Sequence, residues 1–135
     1  MTSGPEPVGT LDVALAHAEK LLVSQPGLAA EQAREILGAV PNHPAATLLL
    51  AMARRRANDV ADALRILEPL AASQPRWAVA QRELGLALGD AGRGDEAVAA
   101  LRRAVRLQPT MADAWRALGD HLFATGDTAG ADQAY

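Results

Sequence analysis

Residues 84–109 read LGLALGDAGRGDEAVAALRRAVRLQP, and this stretch decides the fold. A Leu-Gly pair opens it, glycines follow at 89, 92 and 94, and Pro109 closes it. Glycine tolerates the left-handed backbone angles with which helices often end, and proline cannot continue a helical hydrogen-bond ladder. The stretch therefore predicts two helices that are separated by a turn near Gly92 and ended at Pro109.

The same pattern recurs along the chain with a period of 34 residues. Small residues that recur on helices allow close approach of their neighbours, and Asp after a turn residue is expected to cap the next helix or to lie in its first turn. The recurring series are Pro41, Pro75 and Pro109; Asn58, Gly92 and Gly126; Ala29, Ala63, Ala97 and Ala131; and Ala51, Gly85 and Gly119, each after a leucine. Several series that share one period indicate an internal repeat.

The repeat predicts an all-α fold made of antiparallel helix pairs, and no segment shows the alternation of a strand. We expect helices near 44–57, 60–73, 78–91, 95–108, 112–125 and 128–135, with a further pair in 11–40 that breaks near Pro26. Residues 1–10 are rich in Gly and Pro and are predicted to be a flexible lead-in. Residues 11–135 are predicted to form one repeat domain with units at about 11–43, 44–77, 78–111 and 112–135, the last of them truncated.

The chain resembles the tetratricopeptide repeat family, whose 34-residue unit carries an aromatic residue, a Leu-Gly pair, alanine and proline at fixed intervals. The positions that carry the resemblance are Leu84, Gly85, Leu88, Gly92, Ala97, Leu101, Ala104 and Pro109, followed by Trp115, Leu118, Gly119, Leu122, Gly126, Ala131 and Tyr135. Gln81 stands where Trp115 supplies the aromatic residue one unit later. The resemblance implies a right-handed superhelical array of helix pairs, a tetratricopeptide-like α-solenoid.

Composition excludes several classes of function. The chain has no cysteine, which excludes disulfides and Cys-ligated metal, and its net charge of −3 argues against a general nucleic-acid binder. No apolar run is long enough for a membrane span, and the first residues lack the basic start and apolar stretch of a secretory signal. We expect a cytoplasmic protein, and the richness in Ala and Arg suggests a bacterial one.

No cluster of residues predicts catalysis, a metal site or a cofactor site. The three histidines, His17, His43 and His121, are far apart and have no metal-ligand spacing. The glycines at 89–94 follow no strand and precede no Gly-Lys-Ser/Thr, so they do not form a phosphate loop. The basic clusters at 54–56 and 102–106 are interpreted as solvated helix faces.

The resemblance implies a concave groove lined by the first helix of each pair, which binds a partner peptide or helix. Arg82 and Arg116, 34 residues apart, could each bind a carboxylate of the partner through two parallel hydrogen bonds. They could instead pair with acids of the array such as Glu83 or Asp120. By register the predicted groove residues are Leu48, Met52 and Arg55, then Val79, Arg82, Leu86 and Asp90, then Asp113, Arg116, Asp120 and Phe123.

The predicted function is a non-catalytic module that binds another protein. Two alternatives stay open. The segments at 29–34, 67–70 and 126–131 resemble the repeats that precede a sulfotransferase domain in certain bacterial proteins, in which case this segment would position substrate or mediate assembly. The truncated last unit would expose an apolar stacking face, which predicts either a fragment of a longer protein or self-association through that end.

Overall fold

The computed structural model describes residues 7–135, with side chains described from Thr10 onwards. Within this range the chain is all-α, with eight helices and no strand, as predicted. The helices are α1 (Pro7–Ser24), α2 (Pro26–Ala39), α3 (Pro44–Arg56), α4 (Val60–Ser73), α5 (Ala78–Asp90), α6 (Gly94–Leu107), α7 (Ala112–Ala124) and α8 (Thr128–Ala134).

The helix ends agree with the sequence prediction to within one or two residues from α3 onwards. The break between α1 and α2 falls at Gln25, directly before the proline at which the sequence predicts it. Of the lead-in that was expected to be flexible, residues 1–6 lie outside the described residues, and residues 7–10 belong to α1.

The turns within the helix pairs adopt the left-handed backbone that their residues predict. The φ angles are 67° at Asn58, 79° at Gly92 and 89° at Gly126. At the middle turn the amide of Arg93 donates to the carbonyl of Leu88 at 2.9 Å and the amide of Gly92 donates to that of Gly89 at 3.0 Å. These two bonds satisfy carbonyls that the end of α5 would otherwise leave without a partner.

The chain divides into two compact units, Met1–Ile66 and Leu67–Tyr135, called unit 1 and unit 2 below. In unit 1 α1, α2 and α3 pack together around Leu22, Leu49 and several alanines. In unit 2 α6 and α7 enclose a core that includes Leu101, Val105, Leu118 and Leu122, and α8 adds Ala131 and Ala134 to it.

Glycines set the separation of paired helices in unit 2. A Cβ atom added to Gly85 would lie 2.6 Å from Cγ of Leu101, and one added to Gly119 would lie 2.7 Å from Cε1 of Tyr135. Leu101 and Tyr135 are themselves one repeat apart, so each pair of helices closes on the same kind of contact. This contact explains the glycine of the Leu-Gly pair in α5 and in α7.

Gln81 stands one repeat before Trp115 and makes the equivalent hydrogen bond. The side chain of Gln81 donates from Nε2 to the carbonyl of Pro75 at 3.3 Å, and the indole of Trp115 donates from Nε1 to that of Pro109 at 2.8 Å. Both bonds tie the first helix of a pair to the proline that ends the preceding pair.

Candidate functional site

The predicted groove residues of α5 and α7 lie on two helices that pack against each other in unit 2. A guanidinium nitrogen of Arg82 lies 3.6 Å from a carboxylate oxygen of Asp113, which joins the two helices. The four predicted residues of α7 follow a helical spacing of three, four and three and are all exposed: Asp113, Arg116, Asp120 and Phe123. We call these four residues the α7 stripe.

Arg82 is held by acids of the same unit. Its side chain is 20% exposed, and its Nη2 lies 3.2 Å from Oε2 of Glu83, whose side chain is 4% exposed. With Asp113 as a second partner, the guanidinium is fixed between two carboxylates. The sequence left open that Arg82 pairs with acids of the array, and the structure has this arrangement.

Arg116 differs from Arg82 although it occupies the equivalent position. It is exposed, and within the described residues it forms no ion pair. It lines a surface cavity of about 490 Å³ together with Trp115 and Tyr135. Of the two arginines, Arg116 is the one whose charge is available to a partner.

Asp120 has a partner within unit 2. The hydroxyl of Tyr135 donates to Oδ1 of Asp120 at 2.5 Å. This hydrogen bond, together with the negative charges of Asp120 and Asp132, raises the pKa of Tyr135 above its ordinary value. Tyr135 therefore ties the end of α8 to α7.

His121 lies directly against the backbone of α5. A Cβ added to Gly89 would overlap its Nε2, so the imidazole fills the place that a side chain at 89 would need. The sequence patterns predicted no role for His121. The signal that could have indicated this contact is Gly89 itself, because the equivalent positions carry Arg55 and Phe123.

The predicted groove residues of unit 1 are less accessible than those of α7. Leu48 is buried at 6% exposure. Met52 is half-buried and packs against the core of unit 1, and Arg55 is half-buried as well. The four residues of α5 range from half-buried Val79 and Leu86 to exposed Asp90.

Within residues 7–135 no group of His, Asp or Glu is arranged to hold a metal ion. No described helix is both long enough and apolar enough to cross a membrane. His43 has a structural contact, because its Nδ1 accepts a hydrogen bond from the amide of Ala46 at 3.3 Å and caps α3.

Comparison with known proteins agrees with the all-α repeat fold. A family model described as tetratricopeptide repeat matches residues 23–76 and 82–135. The chain belongs to the tetratricopeptide repeat family. No curated protein matches it significantly in sequence. The matches lend no support to the resemblance to proteins with a sulfotransferase domain.

Solved structures of MamA share the fold. One structure of MamA superposes with a TM-score of 0.77 at 19% identity, over 92% of this chain and 73% of that one. MamA from Desulfovibrio magneticus RS-1, from residue 41 to its end, superposes with a TM-score of 0.78 at 22% identity, over 92% and 71%. At this identity the likeness extends to the fold alone.

Proposed function

We propose that this chain is a non-catalytic protein-interaction module that binds a partner peptide or helix along α5 and α7 of unit 2. The observation that carries the proposal is the α7 stripe. Phe123, a large apolar side chain, is 62% exposed there on the same helix face as the guanidinium of Arg116, which forms no ion pair with the described residues. Aromatic residues, phenylalanine included, and arginine are enriched at protein interfaces relative to the rest of the protein surface.

In this proposal Phe123 buries its ring against the partner and Arg116 orients a partner carboxylate. Half-buried Leu86 supplies apolar surface on the neighbouring helix. Arg82 contributes by holding α5 and α7 in place through Asp113, so the surface is formed before the partner arrives. A preformed surface loses less conformational freedom on binding, which favours affinity.

The module acts in the cytoplasm in this proposal and performs no chemistry itself. No observation on residues 7–135 favours the two alternatives, the enzyme-linked segment of sulfotransferase type and the self-associating module.

Site-specific crosslinking tests the proposed surface even though the partner is unidentified. A photoreactive benzoylphenylalanine replaces Phe123 in one version of the chain and Val23, which is 81% exposed in unit 1, in a matched control. We expect a discrete crosslinked protein from position 123 in source cells and none from position 23. The same crosslinked band from both positions, or none from position 123, would overturn the assignment of the α7 stripe.

Arg116→Glu then tests the role of the charge. In a version that keeps the crosslinker at 123, this change should reduce the yield of the crosslinked partner several-fold. The reason is that the new carboxylate would repel the partner's carboxylate. Arg34→Glu makes the same charge change on an exposed residue of α2 and should leave the yield unchanged. Arg82→Glu is a poorer test, because it would place a third acid beside Glu83 and Asp113.

A further inference from the structure

Unit 2 contains two surface slots that are copies of each other, one repeat apart. The first lies between α6 and the end of α4, over Leu84 and Leu88 of α5, and has a volume of about 480 Å³. The second lies between α6 and α8, over Leu118 and Leu122 of α7, and has a volume of about 310 Å³. Most lining residues of the second slot stand 34 positions after those of the first, so the repeat itself builds both.

The charged residues that line the two slots differ: Glu68, Glu96 and Arg103 line the first slot, whereas Arg102 and Arg106 line the second. The positions of Glu68 and Ala72 in the first slot correspond to those of Arg102 and Arg106 in the second. We call the two sites the glutamate slot and the arginine slot.

The acids of the glutamate slot are already neutralised. Nη2 of Arg93 lies 3.1 Å from Oε2 of Glu68 and 2.7 Å from Oε2 of Glu96. In the arginine slot, by contrast, Arg102 and Arg106 are exposed and form no ion pair within the described residues. They lie four residues apart on α6, so both guanidinium groups reach from one helix face over the same slot.

The floor of the arginine slot is apolar and fixed. Leu118 is 3% exposed, Leu122 7% and Val105 5%, so these side chains are held by the core of unit 2. The ring of Trp115 is half-buried in the wall, where its Nε1 donates to the carbonyl of Pro109 at 2.8 Å. The slot therefore joins a rigid apolar floor to two cations that have no acidic partner among the described residues.

We propose that the arginine slot binds an acidic peptide segment of a partner protein. An aliphatic side chain of the segment enters between α6 and α8, and neighbouring carboxylates bind Arg102 and Arg106. Arginine suits this role because its planar guanidinium can bind a carboxylate through two parallel hydrogen bonds. The site lies on the α6 and α8 side of unit 2 and uses none of the residues of the α7 stripe.

The chemistry of the slot favours a peptide over a nucleic acid. Its floor is formed by Val105, Leu118 and Leu122, which can bury an aliphatic side chain but offer no hydrogen-bonding group to the edge of a base.

A binding assay with defined peptides tests this proposal. Fluorescence anisotropy would follow a labelled peptide EELLEELLEE, with KKLLKKLLKK and EEAAEEAAEE as probes of charge and of the apolar anchor. We expect the acidic leucine peptide to bind at least about tenfold more tightly than either of the other two, a difference of about 1.4 kcal/mol. Its affinity should fall as salt is added, because the contacts with arginine are electrostatic.

The most informative double variant introduces the residues that stand at the equivalent positions of the preceding repeat. Arg102→Glu with Arg106→Ala copies positions 68 and 72, which the same fold already accommodates, and should weaken the acidic peptide at least about tenfold. Arg34→Glu with Arg56→Ala makes the same charge change on exposed residues of unit 1 and should leave binding unchanged. Circular dichroism of both variants is the check that helicity is kept.

Four results would overturn the proposal. The first is equal binding of the acidic and basic peptides, and the second is an unchanged peptide affinity in the Arg102 and Arg106 variant. The third is tighter binding of a labelled oligothymidylate than of the acidic peptide, if the same variant abolishes it. The fourth is a mass of the free chain that rises with concentration, if the same variant abolishes the rise. The last result would identify a second copy as the occupant. Arg116→Glu separates this site from the α7 stripe, since it should leave the peptide affinity unchanged while reducing the crosslink at position 123.

Discussion

The absence of one side chain, at Gly85, sets how closely α5 and α6 can approach. A methyl group there would lie 2.6 Å from Cγ and 2.9 Å from Cδ2 of Leu101, and 3.3 Å from the carbonyl oxygen of Ala97. Leu101 is completely buried, so it could move away only by displacing neighbouring core side chains. We expect Gly85→Ala to lower the free energy of unfolding by about 1–3 kcal/mol, the usual cost of overpacking a core.

Gly38→Ala is the matched control, since it adds the same methyl group to a helix where nothing lies within 4 Å. It should raise the free energy of unfolding by about 0.5–1 kcal/mol, because alanine loses less backbone freedom than glycine when a helix forms. Urea denaturation followed by circular dichroism measures both variants. Equal stability of Gly85→Ala and the parent chain would show that α5 and α6 can separate without loss.

Residue patterns predicted some side chains well and others poorly, for a physical reason. The left-handed angles at Asn58, Gly92 and Gly126 follow from local sequence, because only the residue and its turn decide them. The pairing of Arg82 with Asp113 depends on the distance between two helices that are far apart in sequence, and register alone does not supply that distance. Register likewise placed Leu48 in the groove, whereas the packing of unit 1 buries it.

At the scale of elements, one hydrogen bond from Tyr135 to Asp120 joins the end of α8 to α7. The bond favours the neutral phenol, so the pKa of Tyr135 in the folded chain lies above the ordinary value of 10.0. The contribution of this bond to stability is therefore fully present below the pKa of the unfolded chain. It is lost as the pH rises through the higher pKa of the folded chain.

An alkaline titration can measure this directly, because Tyr135 is the only tyrosine of the chain. Ultraviolet absorbance of the phenolate should give a midpoint above 10.0 for the parent chain. Asp120→Asn should bring the midpoint down towards the ordinary value, and Asp132→Asn should lower it less, because Asp132 acts through its charge alone. If the two variants titrate alike, the hydrogen bond to Asp120 is not what raises the pKa.

The helices themselves were predictable because the repeat supplies their boundaries several times over. Turn residues and prolines with one period mark the helix ends several times along the chain, which explains the agreement from α3 onwards. Residues 7–10 lack such a marker, and their composition suggested a flexible segment although they begin α1. The two slots of unit 2 were not predicted, because they form between helices whose residues never adjoin in sequence.

For the whole molecule, the repeat predicts that stability is local. In a repeat protein each helix pair contacts mainly its neighbours, so stability is approximately a sum of terms for each repeat and each interface. Unit 1 and unit 2 each have their own cluster of buried residues, with Leu22 in the first and Leu101 in the second. A defect in one core should therefore loosen its own helices first.

Hydrogen exchange of two reciprocal variants tests this locality. Leu101→Ala removes a completely buried side chain and should cost about 2–5 kcal/mol, with protection of amides falling in α5, α6 and α7. Leu22→Ala removes a side chain that is 5% exposed in unit 1 and should lower protection in α1, α2 and α3 instead. Each variant is the control for the other, because the helices that lose protection in one variant should keep it in the other. Equal loss of protection in both sets of helices from either variant would mean that the chain unfolds as one cooperative body, and the sum over repeats would then not describe its stability.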